Sequence, residues 1–439
     1  MTSSTSLNLG AEDVVARLWI GVKSRLGQTG VVTQPDWGSV LASYARRLHH
    51  TAGDGHHVVS PLGAWLVMAL CGALADTDSL ARTELGEALQ CDPSDAAAFA
   101  GDLLARPHPL IATGAGLWVP QRLETVRLAR WRAGLPEQVD TGDIPSQEKL
   151  DRWAFERTLG LIERFPLTLD PGVVCVLASA LATKVSWEVP FQVVDAEQLG
   201  PSRWDRAVTS VLRTPSDPRH EQFLTDTPGA GPVAVHLARA RGGLLVGSVI
   251  AADGAVPAGS VLAEAERIVT AEARRPRSVE RRSLFDLPLG RGPVWEIREE
   301  PGGRPGPFER EQRFTSIMPA WSAATDLDLA RAAGLGFGAA AAVLARALEL
   351  TEWRYDARQS AVAKYSAVGF EAAAVTHVAV ALSAQAARPE TPRRAVVRFT
   401  HPYAVVAATR SDPLQSSPQA WHGLPVFSAW VTEADNPEL

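Results

Sequence analysis

The chain has 439 residues, of which 46% are hydrophobic and 21% charged, enough apolar content and length for an ordinary globular protein with a sizeable core. A formal net charge of −6 leaves no basic field to recruit nucleic acid. The longest apolar run, residues 63 to 75, is shorter than the ~20 residues needed to span a bilayer, so no membrane is expected either.

The N-terminal stretch MTSSTSLNLGAEDVV lacks the basic start and apolar run of a secretory signal, which predicts a cytoplasmic protein. Length alone allows two or three domains, yet no Gly/Ser- or Pro-rich linker divides the chain. Residues 1–35 read as an N-terminal extension and 36–439 as a single domain. Positive charge is almost all arginine, with lysine only at 23, 149, 184 and 364, a bacterial-type compositional bias. Cys71, Cys91 and Cys175 are too sparse and scattered for a disulfide framework or a zinc site, and read as small core residues.

Helical periodicity runs through residues 37 to 50, 61 to 75, 79 to 90, 94 to 105 and 147 to 164. Strand-like runs follow at 173 to 185, 232 to 237, 244 to 250, 362 to 382, 395 to 399, 403 to 408 and 424 to 431. Helices first and strands later, with little strict alternation, predict an α+β fold. Residues 271–313, containing AEARRPRSVERR and EEPGGRPGP, are the least regular stretch and read as a solvated insertion. Trp153, Trp187 and Trp321 read as core packing, and Lys184 as a structural charge.

The catalytic inventory is nearly empty: there is no Gly-x-Ser-x-Gly elbow, no His-Glu-x-x-His helix and no phosphate-cradling glycine loop. The expectation is a protein that is not an enzyme and uses no cofactor. His49-His50 and His56-His57 flank a Gly-Asp-Gly turn, but without nearby cysteine or an orienting carboxylate they do not read as a metal site.

Residues 367 to 383, AVGFEAAAVTHVAVALS, carry the functional signal. At period two, Phe370, Ala372, Ala374, Thr376, Val378, Val380 and Leu382 share one face, while Glu371, His377 and Ser383 fall on the other. The run Ala372-Ala373-Ala374 is small enough to slide between existing strands, and Gly369 supplies the backbone freedom of a hinge. The segment Gly369-Phe370-Glu371-Ala372-Ala373-Ala374-Val375-Thr376 resembles the hinge of the reactive-centre loop of the serpins, the serine protease inhibitor family.

Other segments carry the resemblance in the family's order. Ser60-Pro61-Leu62 leads into an apolar helix with Trp65, Leu66, Met68 and Leu70. Leu150-Asp151-Arg152-Trp153, then Thr158, Gly160 and Ile162, resembles the helix that crosses the main sheet. LASALATKVSWEVPF, residues 177 to 191, matches a family motif at Lys184, Trp187, Pro190 and Phe191. Met318-Pro319-Ala320-Trp321, DLDLARAAGLGFGAA from 326 to 340, Val397 to Tyr403 and the terminal LPVFSAWV complete the series.

The resemblance implies a serpin-like mixed fold: N-terminal helices packed on a large main β-sheet, smaller sheets, and an exposed reactive-centre-like loop at 369–394. It implies a serine endopeptidase inhibitor whose cleaved loop inserts into the main sheet, or alternatively a non-inhibitory binding or scaffold protein. The partner would be a serine protease, of elastase or subtilisin type, and the protein a monomer, extracellular if it follows the family. The family's ruler sets the scissile bond at Ser383-Ala384, with Leu382, Arg388, Arg393 and Arg394 as alternative baits. Ser60, Ser179 and Gln359 correspond to the polar cluster where the sheet opens. Phe370 stands where inhibitory members carry a small residue, and is expected to be the first side chain pushed under the sheet and to slow insertion. Ala367 and Val368 replace the usual acidic residues before the hinge glycine.

Overall fold

A computed structural model describes residues 35–437, except 78, 171, 301–310, 371–391 and 411–417. In chain order its elements are α1 (Trp37–Ala52), β1 (His57–Val59), α2 (Pro61–Cys71), α3 (Leu80–Leu89), α4 (Pro93–Ala105), β2 (Ala112–Trp118), α5 (Val126–Ala133), β3 (Val139–Gly142) and α6 (Gln147–Arg157). There follow β4 (Val176–Ala182), β5 (Val185–Ser186), β6 (Gln192–Asp195), β7 (Ser210–Arg213), β8 (His220–Thr227), β9 (Gly231–Ala240), β10 (Leu244–Ala251) and α7 (Ala258–Arg274). The C-terminal part adds β11 (Gly290–Arg291), β12 (Trp295–Glu299), β13 (Gln312–Met318), β14 (Trp321–Asp328), α8 (Phe337–Ala347), β15 (Arg358–Tyr365), β16 (Gly369–Phe370), β17 (Arg393–Arg398), β18 (Tyr403–Thr409) and β19 (Pro425–Val431).

Helices dominate the first part and strands the rest, as the sequence predicts for an α+β chain. Helix α2 shows why the local sequence folds as it does. The Ser60 hydroxyl accepts from the Gly63 N–H, Pro61 occupies the first turn where its missing donor costs nothing, and nearly every side chain of the helix is buried. Helix α6 stops at Arg157, short of the expected 164. Leu159 and Gly160 turn left-handed, at φ 55° and 77°, and Gly160 N–H bonds back to Phe155 O at 2.8 Å.

A six-stranded sheet, ordered β1-β19-β18-β10-β9-β8, forms the back of the molecule. Its strands β10 and β18 are buried along their whole length, which explains their unbroken apolar sequences. Helix α7, not visible as a helix from its charged sequence, covers this sheet with Val261, Ile268 and Val269 against Val249 and Val406. Another six-stranded sheet, β11-β12-β17-β13-β7-β6, pairs β13 and β17 in parallel. The stretch 271–313 is therefore not wholly irregular. It supplies the last turn of α7, β11 and β12, because Trp295 and Ile297 alternate inward where β12 pairs with β17. No described helix is long and apolar enough to cross a membrane.

The central sheet is divided. Strands β3-β2-β4 form one part, with β2 and β4 antiparallel from Ala112↔Ala182 to Trp118↔Val176. Strands β14-β15-β16-β5 form the other, with β14 and β15 antiparallel from Trp321↔Tyr365 to Asp328↔Arg358. Among the described residues, β4 and β15 make no pair with each other.

Beneath the sheets, two of the histidines that flank the Gly-Asp-Gly turn join a buried polar chain. His57 Nδ1 donates to Gly55 O at 2.9 Å, so its Nε2 accepts from His49 Nδ1 at 2.7 Å, and His49 Nε2 in turn accepts from the Ser428 hydroxyl at 2.7 Å. Glu266, on the inner face of α7, stands 4.0 Å from His49 Nε2. Burial raises the Glu266 carboxyl to about 8, and neither of its oxygens has a hydrogen-bond partner among the described residues. Burial holds His49 well below the ordinary imidazole range.

These two shifts act in opposite directions. A carboxyl raised on folding keeps its proton where the unfolded chain has lost it, so its contribution to stability falls as pH rises from about 4.5 to 8. A lowered imidazole loses stability on the acid side, below its ordinary pKa of about 6.5. Glu266→Gln is expected to flatten the decline of Tm between about pH 5 and pH 8 while leaving the acid-side loss in place. Calorimetry across that range checks it, and an unchanged slope would show that Glu266 is ionised in the native state.

Candidate functional site

The two parts of the central sheet are joined at one end by a two-residue strand. Gly369 pairs with Ser186, and Phe370 pairs with Val185 on one side and Tyr365 on the other. Strand β16 is thus the return arm of a tight hairpin from β15. Ser366 N–H donates to Gly369 O at 3.0 Å and the Ser366 hydroxyl accepts from Gly369 N–H at 3.3 Å. Trp187, one of the predicted core tryptophans, holds this hairpin: its indole N–H donates to Ser366 O at 3.0 Å and its ring lies 5.0 Å from Tyr365. Lys184 is exposed at the bend between β4 and β5.

Phe370 is only 4% exposed and meets the Trp321 ring edge-on at 6.5 Å. The expectation that it would be the first side chain forced under the sheet is therefore corrected. It is already there, between Val185 and Tyr365, and the packing energy of an aromatic ring holds the hinge in place.

Among the described residues, none fills the space between β4 and β15 below Phe370. The cavity is about 800 Å³ and is walled by β4 from Val176 to Leu181 and by β15 from Arg358 to Ala363. Its floor is α2, through Gly63, Ala64, Val67 and Cys71, and Trp153 and Ala154 of α6 lie across it. Burial pushes the Cys175 thiol up to about 12 and Cys71 further still, so the cysteines at the cavity are neutral thiols at physiological pH. At the far end Arg354 reaches Asp170 at 3.3 Å, and the half-exposed Trp353 stacks obliquely on Tyr355 at 6.2 Å.

The three residues read as a polar cluster all line this cavity. Gln359 uses both ends of its amide on one residue: Oε1 accepts from Ser60 N–H at 3.1 Å and Nε2 donates to Ser60 O at 2.9 Å. The Ser60 hydroxyl donates to Val426 O at 3.0 Å, and the Ser179 hydroxyl on the opposite wall donates to Gly63 O at 2.6 Å. Ser60 and Gln359 touch directly, whereas Ser179 joins them through the first turn of α2.

Of the remaining predicted residues, Glu371 to Thr376, Leu382, Ser383, Ala384 and Arg388 lie outside the described residues. Arg393 and Arg394 do not belong to an exposed loop. They begin β17 and are paired on both sides, with β12 and with β13. Arg393 donates to Leu284 O and Leu287 O, and Arg394 donates to Glu300 at 2.7 Å. A protease could take them as bait only by stripping β17 from its sheet. Sequence reasoning missed the emptiness of the slot, because a gap between strands has no sequence signal of its own.

Gln359→Leu leaves the Ser60 N–H without a partner, while Ser60 O keeps its bond from Ala64 N–H at 3.2 Å, and is expected to lower stability by about 1–3 kcal/mol. Urea unfolding measures this. A loss below about 0.5 kcal/mol would mean that water reaches Ser60 from the slot and replaces the amide.

No sequence model of a known family matches the chain, and no curated protein matches it as a relative. Solved structures do. Human thyroxine-binding globulin, in complex with thyroxine, superposes with a TM-score of 0.59 at 14% identity, covering 91% of this chain and 99% of that one. Serpin48 of the insect Tenebrio molitor gives 0.58 at 13% identity, covering 92% and 100%. Human kallistatin gives 0.57 at 15% identity, covering 90% and 96%. The chain thus takes up the serpin fold, as a divergent member of it.

Proposed function

We propose that the protein is a serine endopeptidase inhibitor that works by cleavage of its loop and insertion of the freed segment into the central sheet. The observation that carries this reading is the strand-wide slot between β4 and β15, capped by the first two residues of the segment that would fill it.

The register supports it. Continued one residue at a time from Tyr365↔Phe370, the β15 ladder sets Ala363 opposite Ala372, Ala361 opposite Ala374 and Gln359 opposite Thr376. Continued from Val185↔Phe370 into β4, the other ladder sets Leu181 opposite Ala374 and Ser179 opposite Thr376. In this register the threonine hydroxyl would meet the polar cluster and the small alanines would fill the stretch above it. Side chains alternate across a strand, so the face that holds Phe370 also holds Ala372, Ala374, Thr376 and Val378. Insertion would pair the open edges of β4 and β15, each hydrogen bond adding about 0.5–1.5 kcal/mol net.

In this reading the chemistry belongs to the protease. Its serine oxygen attacks the carbonyl of the bait residue, the amide bond breaks, and the new amine leaves with a proton, giving an acyl ester on the protease. The freed segment enters the slot and draws the ester-linked protease along before water can release it. The uncut protein is then a kinetic trap held by a barrier. Ser383-Ala384 is the proposed bond and Leu382 an alternative, which suits an elastase- or subtilisin-like enzyme. Arg388 is followed by Pro389, which makes cleavage there unfavourable.

A second reading, a non-inhibitory binding or scaffold protein, is favoured by the thyroxine complex among the structural neighbours. Limited proteolysis with an elastase- or subtilisin-like enzyme, followed by calorimetry and a denaturing gel, separates the two. A cut between Thr376 and Ala384, a rise in Tm of about 10 °C or more and a covalent protease complex are expected. Ala374→Glu should keep the cut but lose both the rise and the complex, since an unpaired carboxylate on the buried face costs several kcal/mol. A cut with no rise in the unmodified protein would favour the binding role.

A further inference from the structure

The hairpin that caps the slot is fastened by hydrogen bonds that lead to a buried histidine pair. Trp187 N–H donates to Val368 O at 3.1 Å and Phe191 N–H to Ala367 O at 2.9 Å, from the two ends of one turn. At the middle of that turn Val189 O accepts from His220 Nε2 at 2.7 Å. A carbonyl can only accept, so His220 carries its proton on Nε2 and its Nδ1 is an acceptor. It takes the Nε2–H of His236 at 3.1 Å. The two rings stack at 5.3 Å, and Phe191 meets them at 4.6 and 5.4 Å before touching Tyr365 at 5.7 Å.

His236 is fully buried and its Nδ1 has no hydrogen-bond partner among the described residues. Gln222 on β8 and Ser248 on β10 stand opposite His236 in the two ladders; Gln222 Nε2 is buried without a partner among the described residues, and the Ser248 hydroxyl acts on the Tyr365 phenol. The charges around the pair come from every neighbouring element. Asp217, in the turn before β8, is the carboxylate that acts on His220. It is itself bound to Arg219 at 3.1 Å, and Arg219 also binds Glu188 of the 187–191 turn at 3.2 Å. On β8, Glu221 is held by Arg281 at 3.1 Å. Strand β9 adds Arg239, β10 adds no ionisable group, and β15 adds the phenol of Tyr365.

We propose that the His220–His236 pair is an acid-sensitive fastener of the slot, whose protonation releases the 366–370 hairpin and admits the segment that follows it. Its regulatory meaning rests on reading the slot as an insertion site. A proton added to His220 Nδ1 would oppose the Nε2–H of His236, so His236 must shift its own proton to Nδ1, toward Gln222 and Ser248. The pair then holds a buried positive charge, and the nearby carboxylates are already matched by Arg219 and Arg281. Burial keeps both imidazoles below their ordinary range. Their stabilising effect is therefore present above a pH of about 6.5 and is lost as pH falls below it.

Amide hydrogen exchange of the intact, uncut protein at pH 7.5 and pH 5.5, corrected for the intrinsic pH dependence of exchange, tests this directly. Peptides covering 185–191 and 366–370 are expected to lose about tenfold protection at the lower pH. In His220→Gln, whose amide can still donate to Val189 O, the loss should fall below about twofold, with His236→Gln as the second variant. His57→Gln, in the separate chain under α1, should behave like the unmodified protein. Equal loss in His220→Gln and the unmodified protein, or no loss in the latter, would overturn the fastener. Insertion after cleavage, followed at both pH values by the gain in thermal stability, separates the two ideas. No insertion at either pH, with the exchange result intact, would overturn the insertion reading alone, whereas insertion that ignores pH would overturn the regulatory role.

Discussion

The central sheet depends on the pairing of Gly369 and Phe370 with Val185 and Ser186. This two-residue strand is the described link between β15 and the strand that continues β4. It closes the sheet at one end and leaves the rest of the slot open. Three aromatic side chains, Trp187, Trp321 and Tyr365, pack around the same point. The hinge is therefore held by packing as well as by hydrogen bonds, and whatever acts on this corner acts on the whole slot. A large residue at the hinge looks like an obstacle when insertion is imagined as starting above it. With the ring already seated, the next side chains on its face are Ala372 and Ala374, which need little room.

The sequence and the slot agree at the level of single residues. In the proposed register the small side chains would fall where the walls are apolar, at Ala361, Ala363 and Leu181, and the threonine where Gln359 and Ser179 offer polar partners. Consistency between two independently set ladders is a stronger argument than an alanine run. Such runs are common in helices, and this chain is rich in alanine.

The fold was legible where one periodicity governs a segment. Helices α1 to α4 and the strands β10, β18 and β19 follow from regular patterns that match their burial. Helix α7 was hidden because Glu264, Glu266 and Glu272 lie on buried positions and break the apolar stripe. The strand expected from 362 to 382 was cut at Ser366 because a hairpin closed by a serine hydroxyl lacks the usual Asn-Gly or Pro signal. Arg393 and Arg394 read as loop because two arginines suggest solvent. Their hydrogen-bond partners, the carbonyls of Leu284 and Leu287 and the carboxylate of Glu300, come from segments distant in sequence.

The polar groups around the slot say where the driving force for filling it would come from. Among the described residues strand β4 is paired only with β2, and β15 below Tyr365 only with β14, so each presents an open edge to the cavity. The hydroxyl of Thr183, on the cavity wall, is buried without a hydrogen-bond partner among the described residues. Buried polar groups are usually satisfied, and clusters of exceptions mark places where stability has been given up. Such exceptions are spread through the described residues, and the Thr183 hydroxyl is the one on the wall of the strand-shaped space. A chain selected only for stability would close β4 onto β15; in the proposed insertion reading, leaving them apart would keep a free-energy gain in reserve, and the hairpin at Phe370 would set the barrier to its release.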